Sequence, residues 1–555
     1  MENAVDGQQS NLLAQAQQIA DDFEIGSEHI QQVTRHFVKQ MKDGLANHRV
    51  WQLLAYVRAV PNGSEKGEFL AVDLGGSNCR ICLVQLHGDS TFTVTQNKHS
   101  VPPGVMVNRS YTPLFDFIAE RISEFFNTHL DICCTPATDG TAKYQYKLGF
   151  TFSFTCEQTS LASGRLLHWD KGWDIPDAIG RDPCSMLQEA IDRFGLPIQV
   201  TVLANDSVGT LLTRSYCSGQ RSSTLGAIIL GTGTNAAYVE RMSNIGKLSM
   251  PANEDDVMVI NTEWGCFDDK MEVLPSTTFD DELNEASTDR GSQMLEKRVS
   301  GLYLGELLRL VILRLLRAGA FNMKVDVESP LFRRDGIDSS FLSQLALAGT
   351  QDINNTIKLI QDTLSALDVS GSDAQAVHLL ANSIARRAAR LAGASLAAMI
   401  IQSGRLQATP KGSKGPNPSP GKQYQGRTRF NRSIGGIGRF RYHLTLLCHR
   451  LLSLVGMGSL IRKSSSQMPS QYTPNQSESY AEEDIIDIGA DGSLIELYPT
   501  FEEDMRRAMR EVPQIGHAGE QRVRIGLAKD GSGVGAALMA QVASQTEMES
   551  LMGGQ

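Results

Sequence analysis

Two short stretches, about 155 residues apart, constrain this chain more than any other feature. Phe69-Leu-Ala-Val-Asp-Leu runs apolar into Gly75-Gly76, and Leu225 to Leu230 runs apolar into Gly231-Thr-Gly-Thr-Asn235. Each reads as a buried strand ending in a turn of small and hydroxyl-bearing residues. Each turn feeds another strand, Ile81 to Leu86 in the first unit and Ala236 to Glu240 in the second. Thr91 to Thr95 extends the first unit into a meander. A repeated strand–turn–strand unit predicts a duplicated α/β architecture with a cleft between its halves.

The rest of the chain fits that frame. Residues 11–58 carry apolar positions at helical spacing (Leu12, Leu13, Ile19, Phe23, Ile30, Val33, Phe37, Met41) and read as helices. Residues 112–130 read as a helix and Tyr146 to Phe152 as a strand. Gln199 to Leu203 is a strand and Asp206 to Tyr216 a helix. Helices dominate from Glu296 to Gln402, regular sequence resumes at Asp484, and an Ala-rich helix begins near Gly533.

Composition excludes several classes. A chain of 555 residues has room for two or three domains. A net charge of −10 argues against nucleic-acid binding by the main body. Nine scattered cysteines, an odd number, argue against a disulfide framework, and Cys79-x-x-Cys82 has no second pair to make a metal site. Met1 to Gln18 has no basic or long apolar run of a targeting segment. The apolar stretch Leu451 to Ile461 is too short to cross a bilayer. Residues 403–480 stand apart: twelve Lys or Arg face one acid, Glu478, among Pro, Gly and Ser. They read as a linker-like basic insertion, either a solvated loop or a docking or membrane-surface segment.

Six motifs carry chemistry. In Asp73-Leu-Gly-Gly-Ser-Asn-Cys-Arg80, glycines let backbone N–H groups approach an anion, Ser77, Asn78 and Arg80 add donors, and Asp73 is placed to hold a hydrated Mg²⁺. Gly231-Thr232-Gly233 repeats that logic. Either alone is also a plain turn; two in matching contexts read as a phosphate clamp, and neither has the GxxxxGK[ST] pattern of a P-loop. In Leu203-Ala-Asn-Asp206, a carboxylate at a strand end and helix start is either a helix N-cap or a general base. The stretch 148–173, with Ser153, Gln158, Trp169, Asp170 and Lys171, reads as a polar loop suited to a polyol or to solvent. Asn261-Thr-Glu-Trp-Gly265 puts a carboxylate and an amide at a strand end. Asp530-Gly-Ser-Gly-Val-Gly535 is a glycine-rich turn feeding a helix, which suits packing against a nucleotide.

In this order, DLGGxN, FSF…QTS…W-x-KG, NDxVGT, LGTGTNAAYxE, NTEWG-x-F, EK-x-x-SG-x-YLGE, DGS and DGSGxGAAL, the motifs resemble the hexokinase family, in its fungal form, over roughly residues 15–402 and 484–545. The resemblance implies a two-lobed, actin-like ATPase fold of the ribonuclease H-like α/β class. Its large domain would comprise 15–67 and 207–535, interrupted by 403–480; its small domain would comprise 68–206, completed by a helix over 536–548. It implies ATP-dependent phosphorylation of a hexose, glucose foremost, at the 6-hydroxyl, the first step of glycolysis, in the cytoplasm. Asp206 falls on the family's catalytic base. Ser153, Asp170, Lys171, Asn205, Asn235, Glu263 and Glu296 fall on sugar contacts. Asp73, Gly75, Gly76, Ser77, Asn78 and Arg80, with Gly231, Thr232 and Gly233, fall on the phosphate turns; Asp491, Gly492, Ser493, Gly531, Ser532 and Gly533 fall on the nucleotide side. Mg²⁺ would be held mainly through ATP phosphates and water, with no direct protein ligand.

The sequence departs from the family in places. Trp169-Asp-Lys-Gly-Trp173 stands where W-T-K-G-F is usual, and Asp170 adds a charge worth roughly 4 kcal/mol to a neighbour at about 4 Å. Thr155 replaces a proline, Ser77 a threonine, Asp268 a glycine, and Asp289-Arg290 an Asn-Pro pair. These changes and the insertion leave a second reading open: a catalytically weak sugar-sensing regulator, at the mitochondrial surface or in the nucleus.

Overall fold

A computed structural model describes residues 2–76, 78–129, 146–169, 172–219, 224–248, 253, 255–349, 352–406 and 482–553. The two strand–turn–strand units become the centres of two sheets. The first sheet runs in the order Phe92–Ser100, Asn78–His87, Lys66–Leu74, Tyr146–Phe152, Ile198–Ala204. The second runs Leu53–Leu54, Val257–Asn261, Thr234–Arg241, Thr224–Leu230, Ile486–Asp491, Val523–Leu527. Apart from the short edge strand Leu53–Leu54, the two orders are the same. In each, the central strand pairs antiparallel with the strand that follows its glycine turn and parallel with a later one. The expected duplication is therefore present at the level of topology.

This topology decides where chemistry can sit. Parallel strands point their carboxyl ends the same way, and ligands bind in the crevice outside those ends. Asp73 is the penultimate residue of its strand, Asp491 the last of its own, and Ser153, Asn205 and Gly231 each follow directly on a strand end.

Two helices join the halves. Val208, Leu211 and Leu212 of helix Asp206–Ser218, and Val534 to Ala540 of helix Gly531–Gly553, share one apolar cluster with Ala71, Val84 and Val202 of the first sheet and Ala227 and Val259 of the second. They cross closely because both carry glycine at the contact: a Cβ on Gly535 would lie 2.1 Å from the Gly209 Cα. Thr151 Oγ1 in the first sheet donates to the Ser532 carbonyl at 2.9 Å, and Thr213 Oγ1 to the Gly531 carbonyl at 3.0 Å. The larger core lies on the second sheet. The Ala-rich helix Gly371–Ser403 is buried along most of its length there, and Arg387 clamps Asp280 through two bonds of 2.6 and 2.7 Å.

The structure corrects four expectations about elements. Residues 47–58 are not helical: the helix Ser27–Ala46 ends, and Leu53–Leu54 joins the second sheet beside Asn261. Tertiary pairing overrides the apolar spacing there. The polar stretch after Phe152 is not all loop, since Cys156–Ser160 and Ser163–Leu166 form a hairpin. Its first strand is mostly polar and nowhere buried, and the second is only four residues long, so no alternating apolar run marks them. Gly531 to Gly535 are the first helical turns rather than a glycine turn; the left-handed residue is Asp530 at φ +58°. Similarly, Ser493 opens the helix Ser493–Leu497.

Candidate active site

The strand ends open on one cleft of about 830 Å³. Its first wall is the turn after Leu74, closed by Gly75 N donating to the Asn78 carbonyl at 2.9 Å. Beneath it Asp73, 7 % exposed, accepts from Arg80 Nη1 at 3.0 Å and Ser532 Oγ at 2.7 Å. Burial raises the Asp73 carboxyl above the ordinary carboxylate range; Arg80 and Ser532 oppose that, and the negative Asp206 adds to it.

The facing wall is the second turn. Gly231 N donates to the Gly233 carbonyl at 3.0 Å, while the carbonyls of Gly231 and Thr232 accept from Gly301 N at 2.8 Å and Leu302 N at 3.1 Å. With those carbonyls held from behind, a turn of this kind offers its N–H edge to an anion. Gly492 packs against its backbone. At φ +112°, a Cβ there would lie 2.3 Å from the Leu230 carbonyl carbon, so only glycine fits. Beside it the Asp491 carboxyl is pushed up to about 6 by burial, with Asp206 contributing.

The floor is a chain of amides and acids. Asn205 Oδ1 caps the helix by accepting from Ser207 N at 2.9 Å, so Asn205, not Asp206, does the capping. Asp206 is the first helical residue, lines the cleft, and accepts from Ser207 N at 2.8 Å. Asn235 Nδ2 donates to Asn261 Oδ1 at 2.9 Å and to Asn205 Oδ1 at 3.3 Å; Asn261 Nδ2 donates to Glu263 Oε1 at 2.8 Å. Glu296 Oε2 accepts from Thr234 N at 2.9 Å. Glu263 sits at φ +48°, an uncommon region for a residue with a side chain, of the kind held at functional sites.

Of the residues singled out in the sequence, the cleft brings together Asp73, Gly75, Gly76, Asn78, Arg80, Ser153, Asn205, Asp206, Thr232, Gly233, Asn235, Glu263, Glu296, Asp491 and Ser532. Gly231, Gly492, Ser493, Gly531 and Gly533 are not among its lining residues. Ser77, Asp170 and Lys171 lie outside the described residues. The sequence reading missed Ser287, Thr288, Asp289, Gln293, Leu302, Tyr303, Arg334 and Asp335, which also line the cleft. The polar run Ser287-Thr288-Asp289 is a signal that could have been read. Leu302 and Arg334 carry none, because tertiary packing alone delivers them. Asn261, quoted only as part of a motif, links Asn235 to Glu263.

One departure has a structural account. Asp268 is buried at φ +57° and accepts backbone N–H bonds from Glu272, Val273 and Leu274 at 2.7, 2.8 and 2.7 Å, so it anchors a turn where glycine would leave three amides unpaired. Around Asp289-Arg290, the loop is held by Lys297 Nζ on the Asp289 carbonyl at 2.6 Å and by Asn284 Oδ1 accepting from Gly291 N at 3.0 Å.

Two sheets of one strand order, meeting across a cleft lined by paired turns, define the two-lobed, actin-like class of phosphotransferase folds. Within that class, two profiles described as hexokinase match residues 15–216, and 225–433 with 449–542. The match reaches further into the basic stretch than expected, leaving 434–448 as the interior gap. The chain is 37 % identical to a glucokinase of Aspergillus niger, covering 97 % of this chain and 98 % of that one. It is 33 % identical to glucokinase-1 of Saccharomyces cerevisiae, over 95 % and 96 %. A solved hexokinase of Schistosoma mansoni, complexed with glucose, superposes with a TM-score of 0.73 at 26 % identity, covering 96 % and 99 % of the two chains. This chain belongs to the hexokinase family.

Proposed function

We propose that this protein transfers the γ-phosphoryl group of ATP to the terminal hydroxyl of a hexose, glucose foremost. The observation that carries this is the position of Asp206. It stands at the start of a helix whose cap is already supplied by Asn205, in a cleft with the amide–acid network on one side and two glycine turns on the other. Relieved of the cap, its carboxylate takes the proton of the attacking hydroxyl. Asn205, Asn235, Glu263 and Glu296, with Ser153, accept and donate to the other sugar hydroxyls; Asp170 and Lys171 are assigned to the same pocket. The turns at 75–78 and 231–233, with Arg80, hold the phosphates, and residues 491–493 and the helix start at 531–533 back the nucleotide.

The acids Asp73, Asp206 and Asp491 share the cleft with Arg80, and the carboxyls of Asp73 and Asp491 are raised by burial. That unbalanced negative charge suits a divalent cation arriving with ATP. Mg²⁺ would supply neutralisation of the transferring phosphoryl oxygens, held through water by Asp73 and Asp491. Cleft closure excludes water that would otherwise accept the phosphoryl group.

The lobes are assigned as 15–67 with 207–535, and 68–206 completed by the helix over 536–548. The basic segment 403–480 is assigned to docking on an anionic surface rather than to catalysis. No described helix is long and apolar enough to cross a membrane, and the cytoplasm is the proposed site of action. The regulatory reading is disfavoured, because relatives matched over nearly the whole chain are named glucokinase.

A coupled assay of ADP release with glucose, fructose and mannose tests the proposal. Turnover is expected to require sugar and Mg²⁺, and Asp206→Ala to lower kcat by about 10²–10⁴-fold or more. Sugar binding without turnover in the wild-type protein would overturn it.

A further inference from the structure

Trp169 and Trp173 bracket the sugar loop, and both indoles are used as donors. Trp169 Nε1 donates to the Ile175 carbonyl at 2.9 Å. Trp173 Nε1 reaches further and donates to the Gly76 carbonyl at 2.7 Å. Gly76 is the second glycine of the first phosphate turn. The two rings stack at 5.4 Å and 16°, and Phe154 packs on both, at 4.7 and 4.9 Å. Phe154 follows Ser153, a residue of the cleft wall. Trp173 is 5 % exposed. The chain beyond it is pinned on both edges: Asp174 N donates to the Met106 carbonyl, and the Asp174 carbonyl accepts from Asn108 N, each at 3.0 Å.

A glycine pair has more backbone freedom than any other dipeptide. One bond from a rigid, stacked indole removes much of that freedom at Gly76. A phenylalanine, the residue the family resemblance puts at position 173, would keep the stacking but has no donor to give.

We propose that Trp173 is a positioning residue that couples the sugar loop to the first phosphate turn. With sugar seating the loop, the indole holds the Gly76 carbonyl and presets the turn for the phosphates of ATP. This rests on the kinase reading above and adds a specific link between its two substrates. It does not make Trp173 a contact of either one. Losing a bond to a part-buried carbonyl corresponds to roughly a tenfold change in an equilibrium constant.

The test uses the full chain and Trp173→Phe. Calorimetric titration with a non-hydrolysable MgATP analogue, with and without saturating glucose, gives the factor by which sugar tightens nucleotide binding. In Trp173→Phe that factor is expected to fall roughly tenfold toward one, with glucose affinity in the absence of nucleotide within about twofold of wild type. Trp169→Phe, which loses the bond to the Ile175 carbonyl but keeps the one to Gly76, is expected to weaken glucose and preserve the factor. If the phenylalanine disturbs packing, 3-benzothienylalanine at position 173 keeps the ring shape without the N–H and is expected to give the same loss. A wild-type factor in either 173 variant, or an equal loss of glucose and nucleotide affinity, would overturn the coupling. Absence of sugar-dependent turnover in the wild-type protein would sink the kinase reading while leaving the binding factor measurable.

Discussion

Asp491 is a cleft acid whose charge changes not far below neutral pH. Burial raises its carboxyl from 3.8 to about 6. Below the ordinary value, folded and unfolded chains both hold the proton. Between that value and about 6 only the folded protein holds it. Above about 6 both are ionised, and the native state bears the full burden of the buried charge. Asp491→Asn is therefore expected to raise Tm at pH 7–8, with the gain shrinking as pH falls through about 6. Catalysis should respond oppositely. KM for MgATP is expected to rise as pH falls through about 6, by at most about tenfold per pH unit for a single proton, while Asp491→Asn flattens that profile. Thermal scans and initial rates from pH 5 to 8 check both. At this scale the sequence is legible for residues that sit on strand ends, because the apolar run marks the end and the polar residue after it is then exposed to the crevice. It is ambiguous for Asp206, where cap and base look alike until Asn205 is seen to take the cap. It is silent for Arg334 and Leu302, which reach the cleft only through packing.

Among the elements, the crossing of helices Asp206–Ser218 and Gly531–Gly553 sets the geometry of the site. Asp206 opens the first, and Ser532, which holds Asp73, lies in the first turn of the second. Gly209 and Gly535 allow their backbones to touch. Gly535→Ala is expected to push the helices apart, destabilise the fold by about 1–3 kcal/mol, and lower kcat more than it raises KM for sugar. Denaturant melts with steady-state rates decide this; an unchanged kcat would show that the crossing does not position Asp206. The strand–turn–strand units can be read in sequence because an apolar run ending in glycine is a local pattern. The strand Leu53–Leu54 cannot, since it exists through Ile260 and Asn261, some 200 residues on; the hairpin at 156–166 is local, but its first strand is mostly polar and carries no apolar alternation. The glycine contact between the two helices is also non-local, so it is invisible before the fold is known.

At the scale of the molecule, the described residues within 1–408 and 465–555 form one compact unit. Replacing 409–464 by a short Gly-Ser linker is expected to leave kcat within about twofold, because loop length affects closure entropy only slowly. The same deletion should abolish sedimentation with anionic vesicles, binding that salt weakens in the full chain. Lost turnover would place the segment in catalysis instead. The helix Gly531–Gly553 has a further consequence, for the order in which the protein is made. It covers a face of the sheet whose last strand ends at Ala204, so roughly 330 residues separate the sheet from its cover. At about 5–20 residues per second, a ribosome takes tens of seconds to bridge that distance. Throughout that interval Ala71, Val84 and Val202 lack the cover of that helix, and the emerging half-protein presents an uncovered apolar face.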